Sequence, residues 1–290
     1  MLFLLFLLSL LLNVSVSVVY RPAVLMHGIT SNAAGMDDVA QWIRSTFDGI
    51  YVVSIEIGNG KFDSYSMSID KQIELFCKTV ESDLQLRQGF NLLGYSQGSI
   101  IVRGAVQRCS LPVFNLITLS GIHQGIFGVP FLTQIPEQYR DLITKYAYEP
   151  GVQELVSPAS YWRDPYQLAR YSYACKFLPD INNELVPKNE IYRTNMLKLN
   201  SFVMTYSDID EVIQPRESGL FLGYQNHTLD VETRNMSRQF TEDLLGLRTL
   251  NEQGRLFTFT SHCKHQDGTH EPNKQFLFEN IVQFFNNTFA

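Results

Sequence analysis

The chain has no run of like charges, no internal repeat and, beyond its first residues, no low-complexity tract. The missing repeats exclude a repeat architecture. The formal net charge of −6 is spread thinly, with only 18% of the 290 residues charged. Without a basic patch nothing is built to follow a phosphate backbone, so nucleic acid is excluded as a partner. Cysteine is scarce: Cys77, Cys109, Cys175 and Cys263 are all there are. None stands in a C-x-x-C pair and no His/Cys cluster has ligand spacing, so no metal site is expected.

What is present begins with a hydrophobic share of 45%, enough to bury a sizeable core. The length fits one large domain or two small ones. Residues 1–12 are almost entirely Leu and Phe. As a helix they would span about 18 Å, short of the ~30 Å hydrocarbon core of a bilayer. Ser15 and Ser17 follow with the small-x-small spacing that signal peptidase accepts. The apolar stretch continues through Val14, Val16, Val18 and Val19, as in an uncleaved anchor, and no charged residue precedes it. The expectation is a cleaved signal peptide at 1–17 and a single domain over 18–290, with no membrane span left after cleavage. Passage through the secretory route makes disulfides plausible for an even set of cysteines. It would also expose three N-x-S/T sequons, at Asn226, Asn235 and Asn286, to glycosylation.

Gly94-Tyr95-Ser96-Gln97-Gly98 is the segment that carries chemistry. Phe90-Asn91-Leu92-Leu93 before it reads as a buried strand. Ile100, Ile101, Val102, Ala105 and Val106 after it recur at helical spacing, as in an amphipathic helix. G-x-S-x-G between strand and helix is a nucleophile elbow. Its glycines let strand and helix approach, and its serine projects beside backbone N–H groups that stabilise an oxyanion. The expected donors are the N–H of Gln97 and that of Ile29, in the loop after His27-Gly28. His27 itself reads as a structural turn residue, since one base suffices.

Strands are expected at 23–26, 50–57, 90–93, 113–119, 202–206 and 255–260. Helices are expected at 36–47, 67–86, after the elbow, and at 273–285. This alternation implies an α/β fold with a mostly parallel sheet covered on both faces. The rhythm stops at about 125–192, a segment with scattered Pro and aromatic pairs such as Tyr161-Trp162 and Tyr171-Tyr173. It reads as a helical insertion over the strand ends, where ligands bind.

A serine hydroxyl needs an imidazole to take its proton, and that imidazole needs a carboxylate to fix its tautomer. In this fold the order is Ser, acid, His, from loops after later strands. The loop after 202–206 offers Asp208, Asp210 and Glu211, and the loop after 255–260 offers His262, His265 and His270. Spacing alone does not choose among them.

Beyond these patterns the chain resembles the palmitoyl-protein thioesterases, lysosomal α/β-hydrolases that remove long-chain fatty acyl groups from cysteine thioesters. The resemblance runs from about Val24 to the C-terminal helix. It rests on Gly49-Ile50-Tyr51-Val52-Val53-Ser54-Ile55-Glu56-Ile57-Gly58, on Gln88-Gly89-Phe90-Asn91 leading into the elbow, and on Asn115-Leu116-Ile117. His123-Gln124-Gly125-Ile126-Phe127-Gly128-Val129-Pro130, Tyr161-Trp162-Arg163-Asp164-Pro165 and Phe202-Val203-Met204 extend it. It is closer to the palmitoyl-protein thioesterase 1 branch than to the second lysosomal branch. The resemblance implies Ser96 as nucleophile, Asp210 as acid and His265 as base. The chain departs from the family pattern at His262 and Cys263-Lys264, where small and acidic residues are usual. Cys77 and Cys109 resemble a family disulfide tying two helices. Cys175 and Cys263 have no such counterpart and are expected to pair by elimination, tethering the insertion to the histidine loop.

The implied activity is a thioesterase acting through an acyl-enzyme, without metal or organic cofactor. Its partners would be S-acylated proteins or peptides and fatty acyl thioesters, in the lysosome or outside the cell. An oxygen-ester lipase or esterase would use the same residues, and a lipid-binding protein would keep them only as vestiges.

Overall fold

Six short apolar segments assemble one sheet: β1 (Ala23–Met26), β2 (Val52–Ile55), β3 (Phe90–Tyr95), β4 (Val113–Leu119), β5 (Ser201–Ser207) and β6 (Leu256–Ser261). The computed structural model describes residues 19–289, so the expected signal peptide lies outside the described residues. Strand order is β2-β1-β3-β4-β5-β6 and every pairing is parallel. Parallel strands need crossovers, which place helices on both faces. Along β1 the side chains alternate between two cores. Val24 and Met26 face α3 (Ile69–Ser82) and α4 (Gln97–Cys109), while Ala23 and Leu25 face α1 (Asp37–Thr46) and the C-terminal helix Lys274–Asn280. A short turn, α2 (Asp63–Ser66), precedes α3.

The expected elements lie where the sequence puts them, with shifted ends: β2 and the helices are shorter than expected, β3 and β5 longer. The helix expected at 67–86 starts after Ser68, whose Oγ accepts the Lys71 N–H at 3.3 Å, and stops at Ser82. The helix expected at 273–285 breaks at Ile281 and continues as a 3₁₀ turn, Val282–Phe285. The helix after the elbow is not amphipathic: every residue from Gln97 to Gln107 is buried. The reason is the segment between β4 and β5, which folds into short helices, of which Glu190–Met196 packs along α4. Arg103 shows how tight that cover is. Its fully buried guanidinium donates to Gln107 Oε1 (3.0 Å), to the Ile181 carbonyl (3.1 Å) and to Asn182 Oδ1 (2.8 Å). Desolvation lowers its pKa to about 9, which leaves it charged at neutral pH.

Cys77 of α3 and Cys109 at the end of α4 are bonded to each other, joining the two helices that flank the elbow. The pairing expected for Cys175 and Cys263 is not there. Both are buried free thiols: Cys175 Sγ donates to the Ser160 carbonyl within the insertion, and Cys263 Sγ lies 3.7 Å from Ser261 Oγ beyond β6. Elimination failed because each thiol is held by its own local packing. Asn226, Asn235 and Asn286 are all exposed.

One core residue couples the fold to pH. His123 is fully buried, stacked on Phe221 at 4.6 Å, with Nε2 3.0 Å from Thr118 Oγ1 and Nδ1 without a partner. Burial, with the Arg103 charge nearby, holds its pKa well below the ordinary histidine value. A histidine buried neutral contributes fully above its unfolded pKa of ~6.5. Below that, the unfolded chain takes up a proton that the folded chain refuses, and stability falls. Between pH 7 and pH 5 the loss through one such residue is at most about 2 kcal/mol. The variant His123→Gln should be less stable than wild type at pH 7, yet lose less stability than wild type down to pH 5, by up to about 2 kcal/mol. Urea titrations followed by circular dichroism at both pH values check this; parallel losses would mean that His123 protonates in the folded state.

Candidate active site

The elbow is built by close approach. A Cβ on Gly98 would lie 2.4 Å from the His27 carbonyl oxygen, and one on Gly94 would lie 2.5 Å from the Gly98 carbonyl oxygen. Only glycine fits either position. Between them Ser96 takes φ 53°, ψ −122°, a sparsely populated conformation that costs of the order of 1–3 kcal/mol. Its N–H donates to the Leu119 carbonyl at 2.9 Å, tying the strained residue to the end of β4. As the first residue of α4, Gln97 carries one of the four N–H groups that a helix start leaves without an intrahelical partner.

Two later strand ends complete the site. His265, in the loop after β6, has Nε2 3.1 Å from Ser96 Oγ. Its Nδ1 lies 2.7 Å from Asp210 Oδ2, in the loop after β5. A carboxylate only accepts, so Nδ1–H donates to Asp210 and Nε2 presents its lone pair to the serine hydroxyl. The other Asp210 oxygen accepts the N–H groups of Val212 (2.8 Å) and Ile213 (2.9 Å). Exposure is 11% for the His265 side chain and 1% for Asp210.

The remaining candidates are placed elsewhere. His262 pairs with Asp208 at 2.8 Å, with side-chain exposures of 74% and 50%. His270 pairs with Asp38 at 3.0 Å on the pocket rim. Glu211 is exposed. His27 is buried, its Nδ1–H donating to the Gly28 carbonyl at 2.8 Å, and burial pushes its pKa down. Among the described residues no group of His, Cys, Asp and Glu could hold a metal ion.

Sequence reasoning missed two supports. Tyr95 stacks on His265, ring centroids 5.3 Å apart, and its hydroxyl donates to the His265 carbonyl. The Gln97 side chain is the centre of a buried polar cluster with Ser64, Gln72, Ser157 and Tyr161. Tyr95 could have been noticed as the variable position of G-x-S-x-G; nothing local marks Ser64 or Ser157.

A cavity of about 180 Å³ opens over Ser96, lined by Gly28, Ile29, Thr30, Met36 and His265 among others. A groove of about 490 Å³ shares Thr30 and Gln134 with it and runs along Phe62, Tyr65 and Pro136. The aromatic pairs of the insertion do not line this groove. Tyr161, Trp162 and Tyr171 are buried as the core of the insertion, while Tyr173 faces solvent.

Residues 22–265 match the family described as palmitoyl protein thioesterase. Palmitoyl-protein thioesterase 3 of Dictyostelium discoideum is 45% identical over 249 residues, covering 85% of this chain and 86% of its own. Palmitoyl-protein thioesterase 1 of Caenorhabditis elegans is 32% identical, with 86% of each chain covered. The lysosomal thioesterase PPT2 homolog of Drosophila melanogaster is 34% identical, covering 87% and 88%. These identities do not single out the first branch, which is one of several that match. A solved ferulic acid esterase shares the fold alone, at 11% identity and TM-score 0.52, covering 93% of this chain and 85% of that one. The chain is thus an α/β-hydrolase, and it belongs to the palmitoyl-protein thioesterase family.

Proposed function

We propose that this protein hydrolyses long-chain fatty acyl thioesters, palmitoyl-cysteine in proteins or peptides above all, with Ser96, His265 and Asp210 as its triad. The observation that carries the reading is the pair of contacts at 3.1 Å and 2.7 Å running from Ser96 through His265 to a buried Asp210. His265 takes the proton of Ser96 Oγ as it attacks the thioester carbonyl, and Asp210 stabilises the imidazolium. The tetrahedral oxyanion is received by the backbone N–H groups of Gln97 and Ile29. Thr30 is not available for this, because its N–H already donates to Ser64 Oγ at 2.8 Å. The thiol then leaves. With a pKa near ~8.5 it needs less help from an acid than an alkoxide does. Water, deprotonated by the same imidazole, attacks the acyl-enzyme and releases the fatty acid. The acyl chain would follow the groove along Phe62, Tyr65 and Pro136.

Names of relatives that include lysosomal thioesterases support a route through the secretory pathway to the lysosome. Among the described residues no helix is long and apolar enough to cross a membrane. The bonded pair Cys77–Cys109 agrees with folding in an oxidising compartment.

The variant Ser96→Ala should fold and be secreted as wild type but fail to hydrolyse palmitoyl thioesters and fail to react with a fluorophosphonate probe. Turnover above about a thousandth of wild type would refute the nucleophile.

Removal of either partner should be severe and not additive. Asp210→Asn should cost about 10⁴-fold in kcat by favouring the wrong tautomer. His265→Ala should cost as much, and the double variant little more, because triad members act as a unit. His262→Ala and Asp208→Asn should stay within about tenfold. Steady-state kinetics on a palmitoyl thioester decide it: a dead His262→Ala with an active His265→Ala would move the base to the other histidine.

A further inference from the structure

We propose that the insertion sets the geometry of the oxyanion hole through a buried relay, Tyr161 and Ser157 to Gln97 and Ser64 to Thr30, in which Ser64 holds both donor-bearing loops. The inference rests on the assignment of the Gln97 and Ile29 N–H groups as oxyanion donors. The Gln97 amide is hydrogen-bonded at both ends. Its Nε2 donates to the Ser64 carbonyl (2.6 Å) and to Gln72 Oε1 (3.3 Å). Its Oε1 accepts from Tyr161 Oη (2.7 Å) and lies 2.9 Å from Ser157 Oγ. The orientation of the amide is forced, since the Ser64 carbonyl can only accept. Ser64 is buried, and Gln97, Gln72, Ser157 and Tyr161 are at no more than 1% exposure, while Thr30 at the end of the relay is half-buried. An unmet hydrogen bond there would cost about 1–3 kcal/mol, so the cluster resists distortion as a unit.

Ser64 is the shared member. Its carbonyl receives Gln97 Nε2 and its hydroxyl oxygen receives the Thr30 N–H at 2.8 Å. Thr30 adopts φ 54°, a left-handed conformation unfavourable for a β-branched residue, so an external bond has to hold it. The Thr30 N–H lies one peptide beyond the Ile29 N–H in the chain. Fixing the Gln97 side chain fixes the first peptide of α4 on the other side. One residue therefore sets the separation of the two donors. Neither Tyr161 nor Ser157 contributes a group to that hole directly; they are positioning residues, and both belong to the insertion. Tyr161 is further wedged edge-on against Phe131, ring centroids 5.9 Å apart, in the helix that leads to the groove residues Gln134 and Pro136.

The test is Tyr161→Phe, which keeps the ring and removes one hydrogen bond, with Ser64→Ala as the second arm. Three readouts are needed: kcat and KM on a palmitoyl thioester, affinity for a palmityl trifluoromethyl ketone that mimics the tetrahedral oxyanion, and affinity for palmitate. Each variant should lower kcat by about tenfold to a hundredfold, with KM and palmitate affinity unchanged. Affinity for the ketone should fall by a similar factor. Equal losses for ketone and palmitate would assign the cluster to general packing and overturn the proposal, as would unchanged ketone affinity. If Tyr161→Phe does not fold, Ser64→Ala decides on the same criteria. Failure of the triad reading would look different, because Ser96→Ala would then retain turnover whatever these variants do.

Discussion

The close approach of β1, β3 and the start of α4 is the constraint on which the rest of the molecule depends. Less than the width of a methyl group separates the Gly98 position from the end of β1, and the Gly94 position from the first turn of α4. That spacing drives Ser96 to positive φ and lifts its hydroxyl off the sheet. It also brings His27-Gly28-Ile29 alongside the first N–H groups of α4. The strain of Ser96 is small against the burial it enables: α4 is covered along nearly its full length by apolar side chains. A helix so deeply buried needs cover on both sides, and the long segment between β4 and β5 supplies the outer one.

That cover brings polar groups inside, and the chain handles them in two ways. Arg103 satisfies carbonyl and amide oxygens of the insertion, turning a buried charge into a set of fixed bonds between α4 and residues 181–182. The Gln97 amide does the same between α4, α2 and the insertion. In both cases the polar side chain joins α4 to a carbonyl of another segment, which Gln107 also binds at Ile181 and which Gln72 and Ser157 also bind at Ser64. These two side chains explain why the insertion is rigidly registered on the core although it contributes no strand to the sheet.

The sheet, the elbow and the order of the functional loops were legible in the sequence, because each has a local cause. Apolar runs of strand length, glycines two residues either side of a serine, and polar loops after late strands are all read within a few residues. The Cys77–Cys109 bond was legible only through resemblance. What escaped has non-local causes. Nothing near residue 100 in the sequence says that the polar face of α4 will be covered, since the cover comes from residues 157–161, 181–182 and 190–196. The spacing of the aromatic pairs in the insertion did not decide between lining and core: Tyr161, Trp162 and Tyr171 form the core and Tyr173 faces solvent, because large apolar groups go inside when the segment must pack on itself. The expected Cys175–Cys263 bond had no support but arithmetic, and two buried thiols in separate pockets of packing are what the fold contains.

The choice between two Asp–His pairs shows where sequence and distance both stop being informative. Asp208–His262 and Asp210–His265 come from the same two loops, in the same order, with Nδ1–Oδ distances of 2.8 Å and 2.7 Å. Burial separates them. The first pair stands in solvent, where water competes for both partners and screening leaves little net stabilisation. In the second pair, Asp210 is withdrawn from water and fixed by two backbone N–H groups, so the carboxylate cannot swing away and the imidazole keeps one tautomer. The Tyr95 ring closes the other face of that imidazole, and the Tyr95 hydroxyl holds its backbone carbonyl. Preorganisation of this kind is what allows an imidazole to act on a serine hydroxyl without first paying for its own ordering. The outer pair has the same atoms at the same spacing and none of that support.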